Sequence, residues 1–163
     1  MDAARQIIKQ LLELQVELAR LGLAHRDIKA ENLVVTEDYV VKLIDFGFAY
    51  NLAEGPATDT KGSGCYTAPE ILQSLPHCPS KADIFATGVV LYLLLTGDYP
   101  WVKADGKEAA LYSYSTFYNG RKTNLFWRNV ANTYSPGKQP YDAALTSLLD
   151  GMFHRDPEQR LTA

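Results

Sequence analysis

The sequence predicts a mainly α-helical protein with a small β-hairpin, and three stretches carry that prediction. Apolar residues recur at helical spacing over 3–21, two β-branched runs follow at 32–35 and 39–44, and an almost wholly apolar stretch fills 81–95. The first and third have the length and pattern of helices, whereas the middle pair has the pattern of strands. A chain of 163 residues, 47% hydrophobic and 21% charged, suits one globular domain around one core.

The first predicted helix is amphipathic, and Gly22 is a typical helix stop. Spacings of three and four residues place its apolar side chains on one face, which would pack on the core. These side chains are Ile7, Ile8, Leu11, Leu12, Leu14, Val16, Leu18 and Leu21.

The two β-branched runs predict a hairpin, because only the polar residues Thr36, Glu37 and Asp38 separate "NLVV" from "YVVKLI". A hairpin brings its two ends together, so Asn32 and Asp45 should meet at one mouth. An amide oxygen and a carboxylate suit the hard cation Mg²⁺, which takes few protein ligands plus water and substrate phosphates.

The remaining segments predict loops and further helices. Four Gly and one Pro within 47–66 predict an irregular, mobile loop. The stretch 81–95 predicts a helix buried on all sides, in which Asp83 is an unusual charge. Further helices are expected near 107–118 and within 141–156.

Composition narrows the range of partners and compartments. With 16 basic and 19 acidic residues the net charge is -3, so no basic field attracts nucleic acid or an acidic membrane. The start of the chain lacks the apolar core of a secretory signal, and the longest apolar run, 89–95, is too short for a bilayer. Cys65 and Cys78 are too few for a disulfide framework, which leaves free thiols or a single bridge. We expect a cytoplasmic protein, with a nuclear pool as an alternative, and no nucleic-acid or membrane partner.

The stretch "HRDIKAEN" at 25–32 concentrates five ionisable side chains in eight residues. Asp27 lies on a predicted loop between helix and hairpin, where a carboxylate can project into a cleft. A positioned Asp, the nearby cation of Lys29 and the predicted Mg²⁺ site together favour phosphoryl transfer. In that reaction, positioning and charge neutralisation supply most of the catalysis.

With these motifs the chain resembles the C-terminal lobe of a eukaryotic protein kinase. The matching motifs occur in family order: "HRDIKAEN", "DFG" at 45–47, "APE" at 68–70, the helix of Asp83, and "RDPEQRLT" at 155–162. "DFG" or "APE" alone is a weak signal, but the specified positions of the first motif arise by chance in roughly one site in millions. The resemblance covers 1–163, which implies a partial protein kinase domain.

The resemblance implies a serine/threonine protein kinase that transfers the γ-phosphoryl group of ATP to a Ser or Thr hydroxyl of a protein. Asp27 would be the catalytic base, Lys29 would steady the γ-phosphate, and Asn32 and Asp45 would hold Mg²⁺. Ser63 falls where the family places a hydroxyl that bonds to the Asp and the Lys. Both Lys29 and Ser63 resemble serine/threonine kinases rather than tyrosine kinases.

Other matching residues would line the nucleotide site. Val34 would form part of the floor under the adenine ring. His25 and Phe46 would stack as half of an apolar column that links the two lobes, and Gly47 completes the "DFG" motif.

Three matches imply structural contacts. Glu70 and Arg160 would form a buried ion pair, and Asp83 would hydrogen-bond the backbone of the turn at His25 and Arg26. A buried charge of this kind is tolerated when it is paired or hydrogen-bonded.

The resemblance also implies how the loop is regulated. An Arg next to the catalytic Asp, here Arg26, is typical of kinases whose activation loop is ordered by a phosphorylated residue. The position that commonly carries the phosphate falls on Asp59, between Thr58 and Thr60. We expect Asp59 to act as a weak permanent substitute, with Thr58 or Thr60 as alternative modification sites.

The chain departs from the family pattern chiefly by what it lacks. It contains no Gly-rich phosphate loop, strand Lys or partner Glu, because it starts at the helix that precedes the catalytic loop. The expectation is a missing N-terminal lobe and poor nucleotide affinity. Two functions stay open: a fragment of a serine/threonine kinase, or a stand-alone non-catalytic lobe that binds proteins. A smaller departure is Ala30, where related kinases usually have Pro.

Overall fold

The computed structural model describes residues 2–101, 104, 123–134 and 143–163. Within them, the prediction of a mainly helical fold is confirmed. The helices are α1 (Asp2–Arg20), α2 (Pro69–Leu72), α3 (Pro79–Thr96), α4 (Thr123–Tyr134) and α5 (Ala143–Met152). The strands are β1 (Leu23–Ala24), β2 (Leu33–Val35), β3 (Val41–Leu43) and β4 (Tyr50–Asn51). The helix predicted near 107–118 lies outside the described residues.

The core is built around α3, the helix that the sequence predicts to be buried. Pro79 opens it, where its missing N–H costs nothing, and Gly97 ends it in the left-handed conformation at φ 76°. This helix has the length and hydropathy of a membrane span, yet 67% of it is buried inside the folded protein, as expected of a core helix. At Gly88 a Cβ atom would lie 2.8 Å from the ring of Phe153, so this close approach requires glycine.

The first helix packs against α3 through its predicted apolar face. Ile8 and Leu11 are buried there, whereas Val16 and Leu21, which the sequence also placed on this face, are exposed. A polar contact lies in the same interface, where the Gln15 side-chain amide donates to the Thr87 hydroxyl at 2.6 Å. The predicted bounds of 3–21 agree with α1 to within one residue.

The predicted hairpin is present as β2 and β3. The strands are antiparallel, with Leu33 opposite Leu43 and Val35 opposite Val41. The pairing continues past the strands, because the Ile44 N–H donates to the Asn32 carbonyl at 2.9 Å. The residue after Ile44 is Asp45, so the hairpin brings Asn32 and Asp45 to the same mouth.

A second two-stranded sheet corrects the expectation of a single small sheet. Strand β1 pairs antiparallel with β4, with Leu23 opposite Asn51 and Ala24 opposite Tyr50. Sequence patterning misses this sheet because two-residue strands show no alternation. Its consequence is that the start of the predicted loop is fixed beside the residues that lead into His25. The loop also contains two 3-10 turns, Leu52–Glu54 and Gly64–Tyr66.

Candidate active site

The segment from His25 to Asn32, the catalytic loop, is held from below by Asp83 of α3. The Asp83 carboxylate accepts the backbone N–H of His25 at 2.7 Å and that of Arg26 at 2.8 Å. These are the contacts that the sequence predicts. Arg26 has φ 67°, a left-handed conformation that costs free energy in a non-glycine residue, and the two bonds offset that cost. Burial raises the pKa of Asp83 to about 7.

Asp27 is the centre of a hydrogen-bond network. Its Oδ2 accepts from Lys29 Nζ at 2.6 Å and from Asn32 Nδ2 at 3.0 Å, and its Oδ1 accepts from Ser63 Oγ at 2.7 Å. Lys29 Nζ also lies 3.1 Å from Ser63 Oγ. Burial acts to raise the pKa of Asp27, but these donors outweigh it, so the pKa is lowered. The carboxylate therefore stays ionised at neutral pH.

The residues at the hairpin mouth present oxygen atoms. The Asn32 side-chain nitrogen donates twice to Asp27, so its oxygen remains as an acceptor. Asp45 is exposed at φ 63°, and its Oδ1 accepts the Gly47 N–H at 3.1 Å. One amide oxygen and one carboxylate form a donor set that fits Mg²⁺. No group of three or more His, Cys, Asp or Glu that could hold a metal occurs among the described residues.

His25 and Phe46 contact each other edge to face, not in a parallel stack. Their ring centroids are 4.8 Å apart and the planes meet at 70°. His25 is fully buried, and its Nε2 lies 3.1 Å from the Ile44 carbonyl, a partner that the sequence does not reveal. Desolvation by burial lowers the pKa of His25, which favours the neutral ring and a packing role.

The hairpin and the "DFG" segment expose several large apolar side chains, here together called the hairpin face. Val34, the predicted adenine floor, lies on it and is 42% exposed. Phe46 is 48% exposed although its ring touches His25. The other large apolar members are Val35, Val40, Ile44 and Phe48.

The predicted buried ion pair is present between α2 and the segment after α5. Arg160 donates to both oxygens of Glu70, at 2.6 and 2.8 Å, and the two side chains are 0% and 5% exposed. Arg160 Nη1 also donates to the Lys81 carbonyl at 2.9 Å, and Lys81 Nζ donates to the Arg160 carbonyl at 3.1 Å. The pair therefore also fixes the first turn of α3.

A second ion pair joins Arg26 to Asp59. The guanidinium donates to both carboxylate oxygens at 2.9 Å and lies 5.0 Å from the centroid of the Tyr50 ring. These hydrogen bonds lower the pKa of Asp59. Thr58 and Thr60 on either side are exposed. Two residues before Asp59, Ala57 and His77 exchange backbone hydrogen bonds at 2.9 Å.

One contact of the catalytic loop has no counterpart in the sequence-based prediction. The Ala30 N–H donates to the Tyr66 hydroxyl at 3.2 Å, which joins the catalytic loop to the 3-10 turn before "APE". The sequence contains one sign of this hydrogen bond, which is the Ala at position 30. The Pro that related kinases usually have there has no N–H to donate. Both cysteines are free thiols, as one of the two alternatives expected.

Comparison with known proteins agrees with this geometry. The family model of the protein kinase domain matches residues 1–163. The chain is 37% identical over 113 residues to testis-specific serine/threonine-protein kinase 2 of Mus musculus, covering 66% of this chain and 32% of that protein. It is 30% identical over 164 residues to maternal embryonic leucine zipper kinase of Danio rerio, covering 99% of this chain and 22% of that protein. The chain thus spans a third or less of the length of these curated relatives.

Proposed function

The chain belongs to the protein kinase family, and from that premise we propose that it carries the phosphoryl-transfer residues of a serine/threonine protein kinase. The observation that supports this most is the network on Asp27. One carboxylate is held at once by the ammonium of Lys29 and the amide of Asn32, both from its own loop, and by the hydroxyl of Ser63 from a distant segment. A protein substrate with a Ser or Thr hydroxyl and ATP would be the two reactants.

In this proposal Asp27 orients the attacking hydroxyl and accepts its proton. Its lowered pKa makes it a weak base, so it holds the hydroxyl by hydrogen bonding and takes the proton only as the bond to phosphorus forms. The hydroxyl of Ser63 occupies an acceptor site of Asp27 at 2.7 Å, which demonstrates the kind of donor that the carboxylate accepts.

Lys29 supplies the positive charge at the same point. Its ammonium lies 2.6 Å from Asp27 and 3.1 Å from Ser63, close enough to stabilise negative charge that develops on a transferring phosphoryl group. Because Asp27 and Ser63 hold the ammonium in place, it needs little reorganisation during the reaction.

Asn32 and Asp45 would hold Mg²⁺, which would supply charge neutralisation on the phosphates when bound. The free amide oxygen of Asn32 and the exposed carboxylate of Asp45 are the donors. Val34 would contact the adenine ring from the exposed hairpin face.

We further propose that the chain is the C-terminal lobe of a kinase domain and works with an N-terminal lobe. The hairpin face supports it, because several large apolar side chains are exposed there, and exposed apolar side chains in one region favour a site where another polypeptide binds. The same surface favours a second candidate function, a non-catalytic lobe that binds proteins. The two candidates differ in whether nucleotide and metal bind.

The proposal extends to the activation segment. Asp59 would supply the negative charge that a phosphorylated residue brings elsewhere, since it already makes a bidentate pair with Arg26. A carboxylate carries one charge where phosphate carries nearly two, so the substitute is weaker. Modification of Thr58 or Thr60 stays an alternative.

Metal binding is the first test. We expect Mn²⁺, used as a paramagnetic stand-in for Mg²⁺, to broaden the NMR signals of Asn32 and Asp45 before those of other residues. Asp45→Asn should weaken this effect, whereas Asp38→Asn, in the exposed hairpin turn, should not. Equal broadening in the two variants would contradict the metal site.

Nucleotide binding and transfer are the second test. Mg²⁺-ATP at a hundredfold excess over its Kd should add about 2.7 kcal/mol of stability in thermal melting. Phosphate transfer to Ser and Thr peptides should be lost in Asp27→Asn and kept in Asp38→Asn. Nucleotide binding and phosphate transfer should be measured in this chain and in the native protein, whose size an immunoblot gives. The comparison distinguishes a kinase from a non-catalytic lobe. Absence of binding and transfer in both would leave the non-catalytic lobe.

A further inference from the structure

The turn that ends the catalytic loop, Ala30–Asn32, begins without a cap from its own residues. Lys29 precedes it in an extended conformation, at φ -158° and ψ 163°, and makes no side-chain cap hydrogen bond. Its ammonium is instead engaged with Asp27 at 2.6 Å and with Ser63 at 3.1 Å. The first N–H groups of a helical turn have no partner within that turn, so their acceptor must come from elsewhere.

The acceptor of the first N–H is the hydroxyl of Tyr66, which takes the Ala30 N–H at 3.2 Å. Tyr66 is 6% exposed, and burial raises the pKa of its hydroxyl, so the phenol is neutral. Its ring contacts that of Tyr99 edge to face, with centroids 5.8 Å apart and planes at 84°. The Trp101 indole N–H donates to the carbonyl of the preceding residue, Cys65, at 3.1 Å. The acceptor is therefore presented by a side chain whose position is fixed by packing.

The 3-10 turn Gly64–Tyr66 reaches the catalytic loop at two points. Ser63, the residue before this turn, donates to Asp27 at 2.7 Å. The last residue of the turn accepts from Ala30, three residues further along both segments. Lys29 lies between the two points of attachment, since it follows Asp27 by two residues and directly precedes Ala30. The backbone around the phosphate-binding cation is therefore held from both sides.

We propose that Tyr66 is a positioning residue, whose hydroxyl caps the turn and thereby keeps Lys29 and Asn32 on Asp27. An effect of Tyr66 on phosphoryl transfer rests on the proposed function, whereas an effect on the geometry of the loop does not. Ala30 is required for this arrangement, because a Pro at this position would place a ring carbon where the N–H now points. The backbone itself would suit Pro, since Lys29 is extended and Ala30 is the first residue of a helical turn.

NMR of this chain tests the proposal without kinase activity, using Tyr66→Phe, which keeps the ring and removes the hydroxyl. Burial favours a high pKa of Asp27 and its donors, Lys29 first, keep it low, so less closely held donors should let the pKa rise toward 3.8. The Asn32 N–H donates to the Lys29 carbonyl at 3.1 Å, and its hydrogen exchange should become roughly fivefold faster, the effect of one hydrogen bond. Tyr39→Phe removes the same hydroxyl at a position that is 71% exposed and should change neither quantity.

A double-mutant cycle with Ala30→Pro, which removes the donor, separates capping from packing. In the Ala30→Pro chain, Tyr66→Phe should neither raise the pKa of Asp27 nor speed exchange at Asn32, because no N–H is left for the hydroxyl to accept. A role of the Tyr66 ring in packing alone would give the same changes with and without Ala30→Pro. Equal changes in the two chains would therefore overturn the proposal. So would a Tyr66→Phe chain in which the pKa of Asp27 and the exchange at Asn32 are unchanged.

Two further measurements address folding of the variant and the reaction itself. If Tyr66→Phe does not fold, the Ala30 amide of the unsubstituted chain is decisive: it should be protected, and exchange as fast as in an unfolded peptide would overturn the proposal. In the native protein, Tyr66→Phe should lower kcat for peptide phosphorylation and leave the KM for ATP unchanged, because the loss concerns the transferring group. An unchanged kcat in an active native protein would also overturn the proposal. Absence of transfer in every chain, with the NMR changes present, would contradict the proposed function and not the role of Tyr66 in the loop.

Discussion

Two ion pairs, Glu70–Arg160 and Arg26–Asp59, join distant parts of the chain with nearly the same bidentate geometry. They differ in surroundings: the side chains of the first are 5% and 0% exposed, whereas in the second Arg26 is 6% exposed and Asp59 is 44% exposed. Loss of Glu70 leaves the charge of Arg160 in the core, whereas loss of the exposed Asp59 opens to water the end of Arg26 that faced it. We infer that the first pair holds the fold together and that the second adjusts the order of one segment.

The largest expected effect is at the buried pair. Glu70→Ala should lower the free energy of unfolding by about 3–5 kcal/mol, because Arg160 is left as an unpaired buried charge. Urea titration measures this, and Glu70→Gln, which keeps one acceptor, should cost less. If Glu70→Ala lowered the free energy of unfolding no more than Asp59→Ala does, the proposed difference between the two pairs would be wrong.

Asp83→Ala should come next, with a loss of about 2–4 kcal/mol, because the N–H groups of His25 and Arg26 lose their acceptors. Equilibrium denaturation gives the loss, and Asp38→Ala in the exposed turn is the control. An unchanged stability would show that the catalytic loop does not need this support.

The pH dependence of stability should differ between the buried and the exposed carboxylate. The pKa of Asp83 is about 7 in the folded chain and 3.8 in its reference state. The stabilisation that Asp83 adds to the free energy of unfolding is therefore fully present below pH 3.8 and is lost as the pH rises through 7. Asp59 has a lowered pKa, so its contribution is present above 3.8 and is lost as the pH falls further. Between pH 3.8 and 7, the free energy of unfolding should therefore depend less on pH in Asp83→Asn than in the unsubstituted chain. In Asp59→Asn this pH dependence should be unchanged.

The smallest change in stability should follow Asp59→Ala, with a loss of about 1–2 kcal/mol, because water reaches the pair on its Asp59 side although Arg26 is largely buried. Amide hydrogen exchange over 57–62 should nevertheless become faster, because the segment loses its link to Arg26. Lys61→Ala is the matched control, since Lys61 Nζ lies 3.7 Å from the same carboxylate. Unchanged exchange and unchanged activity of the native protein would end the proposal that Asp59 replaces a phosphate.

The sequence predicts long and strongly patterned features well. The amphipathic α1, the buried α3 and the hairpin follow from periodicity, and the contacts of Asp83, Glu70 and Ser63 follow from the family resemblance. The β1–β4 sheet could not be predicted, because strands of two residues leave no pattern. The Ala30–Tyr66 hydrogen bond arises only from tertiary packing of segments distant in sequence.

The apolar character of α3 also has a consequence for the life of the protein in a cell. A helix with the hydropathy of a membrane span stays in water only while the fold covers it, and its first turn is fixed by Arg160. Any event that frees that turn exposes an apolar surface of the kind that chaperones bind and that drives aggregation. Weakening the buried ion pair should therefore reduce the amount of protein in cells through quality control, even where every residue around Asp27 is intact.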